Sequence, residues 1–250
     1  MKIKNILVSQ PQPSELEKSP YGELIKKFSV NIEFRKFIMI EGIPAKEFRQ
    51  DRINILDFSA VIFTSRNAVD HFFRISKEMR VEVPDSMKYF SISESTAYYL
   101  QKYVQYRKRK VFHSKESFTN LCELVKKHKN EKFLLPCSDI HKQEIPKMLE
   151  ENKIYYKKAI IYKTLASDLS DLDISNYDML VFFSPAGIKS LIKNFPKFKQ
   201  NNTVIAAFGP STAKAVTEAG LKLNIQAPNK TAPSMTMAIE QYLQNELKKK

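Results

Sequence analysis

The same short arrangement occurs twice in this chain: an apolar run with an aromatic residue, then serine, then a helix-like pattern. The first copy is VIFTSRNAVDHFF (61–73) and the second is LVFFSPAGIKSLI (180–192). Each apolar run stops at a serine, which is typical of a buried strand that leads directly into a helix N-terminus. The two serines, Ser65 and Ser184, lie 119 positions apart (184 − 65). The chain therefore repeats a β–α unit.

Two further pairs of segments follow in the same order. SISESTAYYL (91–100) resembles AAFGPSTAKAV (206–216), and SFTNLCELV (117–125) resembles TAPSMTMAI (231–239). Thr96 and Thr212 are 116 positions apart (212 − 96), which is close to the first offset. Matched units at a nearly constant offset predict two similar α/β domains. Chance likeness between ordinary β–α units is the alternative.

Short apolar runs alternate with helical patterns along most of the chain, which favours largely parallel sheets. Two basic segments are longer than an ordinary strand, with predicted strands over Ser29–Ile40 and Tyr155–Tyr162. Paired with each other, they would form a connector between domains. The predicted fold class is α/β, with two similar flavodoxin-like domains of parallel sheet joined by a two-stranded β connector.

The connector implies that one domain is inserted into the other. The predicted outer domain is discontinuous and comprises residues 1–35 and 168–250, and the inserted domain comprises residues 40–160. Residues 36–39 and 161–167 form the predicted connector. Because few contacts cross a two-stranded connection, such a connector can hinge.

Composition excludes several classes of protein. With two cysteines and four scattered histidines among 250 residues, neither a disulfide scaffold nor a structural zinc site is expected. No signal peptide and no membrane-spanning run is recognisable, so we expect a soluble cytoplasmic protein. The net charge of +14 favours an anionic partner such as a polyanionic small molecule, a nucleic acid or a membrane surface. A lysine-rich surface without functional meaning is the alternative.

Polar residues stand where the predicted strands end and the next helices begin. In parallel α/β sheets, ligands bind at these carboxyl ends, and free N–H groups at helix N-termini attract anions. Serine and threonine are also ordinary helix caps, so capping alone is the alternative at each position. The candidate binding residues are Thr64, Ser65, Asn67, Ser95, Thr96, Ser184, Ser211 and Thr212.

Common catalytic motifs are missing. The chain has no GxxxxGK(S/T), GxSxG, HExxH or GxGxxG sequence. Cys137 and His141 are four residues apart. They are either a Cys–His nucleophile or a structural cysteine with an unrelated histidine. Tyr162, in the second basic segment, either points its phenol into a cleft between domains or packs in a core.

Taken together, these motifs resemble the uroporphyrinogen-III synthase family. IIYKT (160–164) is similar to a connector motif of that family, FFSPAGIKSL (182–191) to its FxSPxG motif, and IAAFGPSTAKAVTEAGL (205–221) to its glycine–proline–threonine motif. VIFTSRNAV (61–69) resembles a first-domain motif, and APNKTAPSM (227–235) resembles the segment that follows the last. Ser93, His141 and Asn152 depart from the residues common in the family.

The resemblance implies an activity as well as a fold. The family closes the linear tetrapyrrole hydroxymethylbilane to uroporphyrinogen III, with loss of water and inversion of ring D, in porphyrin and haem biosynthesis, with the active site between two α/β domains. It implies a cyclising lyase without a cofactor or metal, acting as a monomer, with Tyr162 assisting departure of the hydroxyl. Gly209 joins the candidate residues for substrate binding.

The alternative is a two-domain α/β binding or regulatory module for a polyanionic ligand or nucleic acid. The basic residues are dispersed, and no recognition helix or aromatic–basic stripe is recognisable. We therefore expect neither a nucleic-acid nor a membrane partner. Measuring the ratio of type I to type III product from hydroxymethylbilane distinguishes the two interpretations.

Overall fold

The computed structural model describes residues 3–114, 118–141 and 143–248. The chain divides into two compact units, Met1–Met39 with Leu165–Lys250 and Ile40–Thr164. We call them the outer unit and the inner unit. The domain bounds predicted from the sequence, and the connector residues between them, stay a prediction.

Both units are built from short strands and helices. The strands are β1 (Asn5–Val8), β2 (Asn31–Phe34), β3 (Ile38–Gly42), β4 (Ala60–Phe63), β5 (Lys88–Ser91), β6 (Val111–His113), β7 (Phe133–Ser138), β8 (Tyr156–Ala166), β9 (Met179–Phe182), β10 (Val204–Phe208) and β11 (Ile225–Ala227). The helices are α1 (Pro20–Phe28), α2 (Ala45–Phe48), α3 (Arg66–Glu78), α4 (Glu94–Tyr99), α5 (Phe118–Lys127), α6 (Glu144–Glu151), α7 (Pro185–Asn194), α8 (Pro210–Glu218) and α9 (Met235–Lys248). The predicted helix starts at Ser117 and Lys142 lie outside the described residues.

The outer unit contains a parallel sheet with the order β11-β10-β9-β1-β2. Alternate side chains along each strand enter two different cores, as the pleat of a strand requires. On one face, Ile6 and Val181 pack with α1 and α9. On the other face, Leu7 and Leu180 pack with α7 and α8. Because both faces are covered by helices, the strands are almost continuously apolar, which explains their sequence pattern.

The inner unit contains a sheet with the order β3-β8-β7-β4-β5-β6. The strands from β8 to β6 run parallel to their neighbours. Val61 and Phe63 face a core with α3, whereas Ala60 and Ile62 face a core with α5 and α6. The predicted class of two α/β domains with parallel sheets is confirmed.

The two sheets share one spatial arrangement. The order β11-β10-β9-β1-β2 in the outer unit corresponds to β6-β5-β4-β7-β8 in the inner unit when the sequence repeat is used to match β4 with β9 and β5 with β10. The chain enters this arrangement at different strands in the two units. The outer unit has the flavodoxin-like order 2-1-3-4-5, and the inner unit has the order 3-2-1-4-5.

The prediction of one continuous strand over Ser29–Ile40 is wrong. This segment forms two strands, β2 and β3, which belong to different sheets. The pairing of β2 with β1 ends at Phe34, and Arg35 then forms two 2.8 Å hydrogen bonds with the carboxylate of Asp171. A strand whose next partner is in a different sheet has to leave the first ladder, so the extended backbone is interrupted here.

The strands β3 and β8 pair with each other, as the sequence predicts for its two long basic segments. The Ile43 N–H donates to the Ile161 carbonyl at 3.0 Å, and the Ser167 N–H donates to the Phe37 carbonyl at 3.0 Å. Because the residue numbers run in opposite directions along the two strands, the pairing is antiparallel. The strand predicted over Tyr155–Tyr162 extends to Ala166, since β8 is paired on both sides for part of its length.

Some predicted boundaries shift for local reasons. The helix predicted over Ser14–Lys27 begins at Pro20, because Ser19 caps it and proline suits the first helical position. The helix predicted over Glu94–Tyr103 ends at Tyr99 and continues as a 3-10 turn. Within the described part of the chain, no helix has the length and apolarity needed to cross a bilayer.

Candidate functional site

The β4–α3 turn places Thr64 and Ser65 at the carboxyl end of the inner sheet. Ser65 is the N-cap of α3 and its hydroxyl accepts a hydrogen bond from the Ala68 N–H at 3.1 Å. The same hydroxyl lies 3.4 Å from the Tyr162 hydroxyl, which β8 brings to this edge. Asn67 is exposed in the first turn of α3. Capping therefore explains one contact of Ser65 and leaves its contact with Tyr162 to be explained.

Tyr162 is buried at this edge, with 7% of its surface exposed. Its ring stacks on His71 with centroids 5.0 Å apart and an angle of 22° between the planes. Burial raises the pKa of the phenol, while the contact with Ser65 acts in the opposite direction. The phenol therefore stays protonated at neutral pH and can donate a hydrogen bond.

A cavity of about 300 Å³ opens beside Tyr162. Its wall combines apolar side chains with hydroxyl, imidazole and carboxylate groups, a mixture that suits an organic ligand with polar substituents. All of the lining residues belong to the inner unit. They are Thr64, Ser65, Ile92, Leu135, Cys137, Ser138, Ile140, His141, Glu144, Ile145, Pro146 and Tyr162.

Cys137 and His141 both line the cavity, but the structure gives no support to a Cys–His nucleophile. The His141 Nδ1 is 2.8 Å from the Ser138 carbonyl oxygen, so this nitrogen donates to the backbone rather than accepting a thiol proton. Burial raises the pKa of the Cys137 thiol to about 11, so the thiol stays protonated at neutral pH. Cys137 is best understood as part of the cavity wall.

A polar network lies next to the cavity, and the sequence reasoning placed Ser138 at a strand end without predicting its contacts. The Ser138 hydroxyl donates to Asp139 at 2.7 Å and lies 3.1 Å from the Thr164 hydroxyl, and the Thr164 N–H donates to Asp139 at 3.0 Å. Burial opposes ionisation of Asp139, but these hydrogen bonds hold the pKa of the carboxyl below its usual value. The network ties the end of β7 to β8. Polar residues after both predicted strands were the available signal.

The β5–α4 turn uses its hydroxyl groups internally. Ser93 caps α4 and accepts a hydrogen bond from the Thr96 N–H at 3.3 Å. The Ser93 hydroxyl also donates to the Thr96 hydroxyl at 3.1 Å and lies 3.2 Å from the Ser95 hydroxyl. Thr96 is 5% exposed, whereas Ser95 is exposed. Local capping thus accounts for much of what these hydroxyls do in the structure.

In the outer unit, Ser184 occupies the position that matches Ser65. It caps α7 by accepting a hydrogen bond from the Gly187 N–H at 3.2 Å. A Cβ atom on Gly187 would lie 3.3 Å from the Phe182 ring and 3.7 Å from the Ser9 hydroxyl. Glycine therefore lets α7 start close to the strand ends. Ser9, which the sequence did not single out, belongs to this edge.

Gly209 precedes α8 and differs from its counterpart Ser93. It has φ 84°, a conformation that favours glycine, and its N–H donates to the Ala227 carbonyl at 2.6 Å. A Cβ atom here would meet nothing within 4 Å, so the backbone angle rather than crowding selects glycine. In the helix that follows, Ser211 is exposed and Thr212 is 1% exposed.

The candidate residues therefore form two groups, one at the carboxyl edge of each sheet. Ser65 and Tyr162 are in contact in the inner unit, and Thr64 lines the same cavity. Ser184, Gly209, Ser211 and Thr212 begin helices of the outer unit. Among the described residues, no group of three or more His, Cys, Asp or Glu side chains is arranged to hold a metal ion.

Two solved structures share the fold across nearly the whole chain. Uroporphyrinogen-III synthetase from Helicobacter pylori has a TM-score of 0.61 and 20% identity, and the match covers 97% of this chain and 100% of that one. A mutant uroporphyrinogen III synthase from Thermus thermophilus has a TM-score of 0.57 and 15% identity, covering 97% of this chain and 99% of that one. At these identities the likeness shows the fold. A comparison with curated proteins finds no match.

The family comparison is independent of the fold. The family model described as uroporphyrinogen-III synthase HemD matches residues 19–237, which include every candidate residue from Thr64 to Thr212. No comparison favours a binding or regulatory module. Since the match extends over most of the chain and agrees with the resemblance carried by the sequence motifs, the chain belongs to the uroporphyrinogen-III synthase family.

Proposed function

We propose that this protein performs the reaction of its family, the cyclisation of hydroxymethylbilane to uroporphyrinogen III, as a cyclising hydro-lyase. The observation that carries the proposal is the family match over residues 19–237. The geometry of the inner unit agrees with it, because a protonated phenol stands at the wall of a cavity of about 300 Å³.

The proposed role of Tyr162 is to help the terminal hydroxyl of the substrate leave. The phenol donates a proton as the carbon–oxygen bond breaks, and the hydroxyl departs as water. The adjacent pyrrole supplies the electrons and gives up its N–H proton, so the product is a neutral azafulvene and the phenol can be restored. Ring closure with inversion of ring D follows, through a spiro intermediate. General acid catalysis of this kind contributes about 10²–10⁴-fold.

Binding of the substrate depends on its eight carboxylates. A protein with a net charge of +14 attracts such a polyanion, and the positive dipole ends at the starts of α3 and α7 are suited to carboxylates. The proposed binding residues are Thr64, Ser65, Asn67, Ser95, Thr96, Ser184, Gly209, Ser211 and Thr212.

Ring closure without inversion needs no enzyme, so the main task is to hold one conformation of the bilane. Positioning of reacting groups can supply about 7–11 kcal/mol of a barrier. The proposed reaction therefore uses only side chains and backbone groups of this chain. We expect the enzyme to act in the cytoplasm as a monomer, without a nucleic-acid partner. Light scattering of the purified protein tests the oligomeric state.

The direct test of the proposal is the isomer ratio. We expect the purified protein, given freshly made hydroxymethylbilane without added metal or nucleotide, to shift the product from the type I to the type III isomer. The products are oxidised and separated by chromatography. Folded protein that leaves the mixture identical to the protein-free control would contradict the proposed activity.

The two matched threonines test the binding proposal. Thr96→Val and Thr212→Val remove one hydroxyl each with little change of shape. If the hydroxyls contact substrate carboxylates, we expect either a rise in KM of roughly 10- to 100-fold or a larger share of the type I isomer. The rise in KM follows because hydrogen bonds to charged groups contribute about 1.5–3 kcal/mol.

Added salt should also raise KM in the native protein, since exposed charges are screened over about 10 Å at 0.1 M.

Thr217→Val is the matched control for these threonines. Thr217 lies at the far end of α8, is exposed, and donates to the Lys214 carbonyl at 2.8 Å. We expect native kinetics from this variant. Native kinetics and isomer ratio in Thr96→Val and Thr212→Val as well would mean that both hydroxyls serve only their helices.

A further inference from the structure

Three residues at or in helix α3 contact Tyr162 or the residue before it. Its cap Ser65 lies 3.4 Å from the phenol oxygen, and His71 stacks on the phenol ring with centroids 5.0 Å apart. Arg74, one turn later, donates to the carbonyl of Ile161 at 3.0 Å, the residue directly before Tyr162. One rigid element therefore contacts the oxygen and the ring of this tyrosine and the backbone beside it.

The guanidinium of Arg74 is held by four groups. Its Nη2 donates to the carbonyls of Ile43 at 2.8 Å and Ile161 at 3.0 Å, and its Nη1 pairs with Glu78 at 2.5 Å. Its Nε donates to His71 Nδ1 at 3.0 Å. The fixed fork of an arginine can satisfy such a set of acceptors, whereas a lysine ammonium lacks this geometry. Arg74 thus joins α3 to the paired backbones of Ile43 and Ile161.

Gly42 gives Arg74 the space that it needs. A Cβ atom on Gly42 would lie 2.6 Å from Cζ and 2.7 Å from Nε of Arg74, which is closer than a real contact allows. The backbone of β3 and the guanidinium are therefore in direct contact. This close approach is a second sign, besides the hydrogen bonds, that the position of Arg74 is specified by its surroundings.

The contact with Arg74 also defines the state of His71. Because Nδ1 accepts a hydrogen bond, the ring carries its proton on Nε2 and is neutral. Burial, followed by the nearby Arg74 guanidinium, lowers the pKa of His71, against smaller opposing effects of Asp70 and Glu78. A neutral imidazole can stack on the phenol ring without a charge that would attract the phenol oxygen away from Ser65.

We infer that His71 and Arg74 are positioning residues for the Tyr162 phenol. His71 holds the plane of the ring, and Arg74 holds both His71 and the backbone at Ile161. Neither residue lines the cavity, so neither is a catalytic residue in this scheme. The inference rests on the proposed role of Tyr162 in hydroxyl departure.

A double-mutant cycle tests the inference. We expect His71→Ala to lower kcat about tenfold with KM nearly unchanged, because a misplaced catalytic group loses rate rather than binding. In the Tyr162→Phe background, which has no phenol oxygen to position, the same change should alter kcat by less than about twofold. His71→Phe restores a flat aromatic ring without the Nδ1 acceptor and should recover part of the rate. This variant is used if His71→Ala does not fold.

His128→Phe is the matched control. His128 also packs on aromatic rings of the inner unit, with Phe112 at 4.6 Å and Phe90 at 5.2 Å, and burial likewise lowers its pKa. We expect native kcat from this variant.

The outcomes distinguish a failure of the positioning role from a failure of the proposed role of Tyr162. Native kcat in His71→Ala, or an equal loss in both backgrounds, overturns the positioning role while Tyr162 keeps its own. Native kcat in Tyr162→Phe overturns the role of the phenol, and the positioning role with it.

Discussion

We expect replacement of Tyr162 by phenylalanine to lower kcat by roughly 10- to 100-fold, which lies within or just below the usual range for loss of a general acid. The phenol is protonated at neutral pH at its ordinary pKa near 10, and burial raises this pKa further, so the donor form is the one present. Azafulvene also forms slowly without enzyme, so removal of the donor slows the reaction without abolishing it. The remaining product should still be mainly type III, since positioning is spread over many groups. Steady-state kinetics and isomer analysis measure both quantities.

The fold should tolerate this change. Ser65 lies 3.4 Å from the Tyr162 hydroxyl, and its oxygen keeps the hydrogen bond from the Ala68 N–H when the phenol oxygen is removed. Because Ser65 is partly exposed, its hydroxyl can bond to water in the variant, and we expect the same unfolding midpoint within error. Tyr89→Phe, at another buried tyrosine of the inner unit, is the control and should retain native turnover. Full activity in Tyr162→Phe, or a large loss of stability, would contradict the proposed role.

The largest effect on stability is expected at the two aromatic residues that end the repeated strands. Phe63 and Phe182 are both fully buried and lie 119 positions apart (182 − 63), as Ser65 and Ser184 do. Phe63 packs edge-on against Phe72 with centroids 5.5 Å apart, and Phe182 packs edge-on against Phe37 at the same separation. Truncation to alanine should lower the free energy of unfolding by about 3–5 kcal/mol at each position, because a cavity remains in a packed core.

Urea unfolding of Phe63→Ala and Phe182→Ala measures these losses. Since proteins are stable by about 5–15 kcal/mol, each loss is a large fraction of the total. Leu56→Ala is the control, because this side chain is 54% exposed and a surface change usually alters stability by less than about 0.5 kcal/mol. A loss below 1 kcal/mol at either phenylalanine, or an equal loss at Leu56, would show that the matched strands do not hold the two cores as described.

The local features of the site could be predicted from the sequence. Ser65 and Ser184 each follow a buried apolar run, and each accepts a hydrogen bond from an N–H group three residues later. Such a cap depends only on neighbouring residues, so the pattern is sufficient to recognise it. The repeat offset likewise predicted two similar sheets, because strands with both faces covered are apolar in any domain of this class.

Contacts between distant segments were decided by the tertiary structure. Ser65 and Tyr162 are 97 positions apart in the chain, and their contact requires β4, β7 and β8 to be neighbours in one sheet. The strand order of the inner unit differs from the chain order, and apolar periodicity carries no information about which strands pair.

The same reason explains the wrong strand over Ser29–Ile40 and the unexpected cluster around Arg74. An extended pattern shows that a segment is suited to a sheet, but only the fold decides that β2 and β3 belong to different sheets. From the sequence alone, Arg74 is predicted to be one more exposed charge on helix α3. Its role became visible only where the fold brings Gly42, Ile43 and Ile161 to its guanidinium. The sequence by itself determined most of the elements, their caps and the family, whereas packing of distant segments determined which side chains meet at Tyr162.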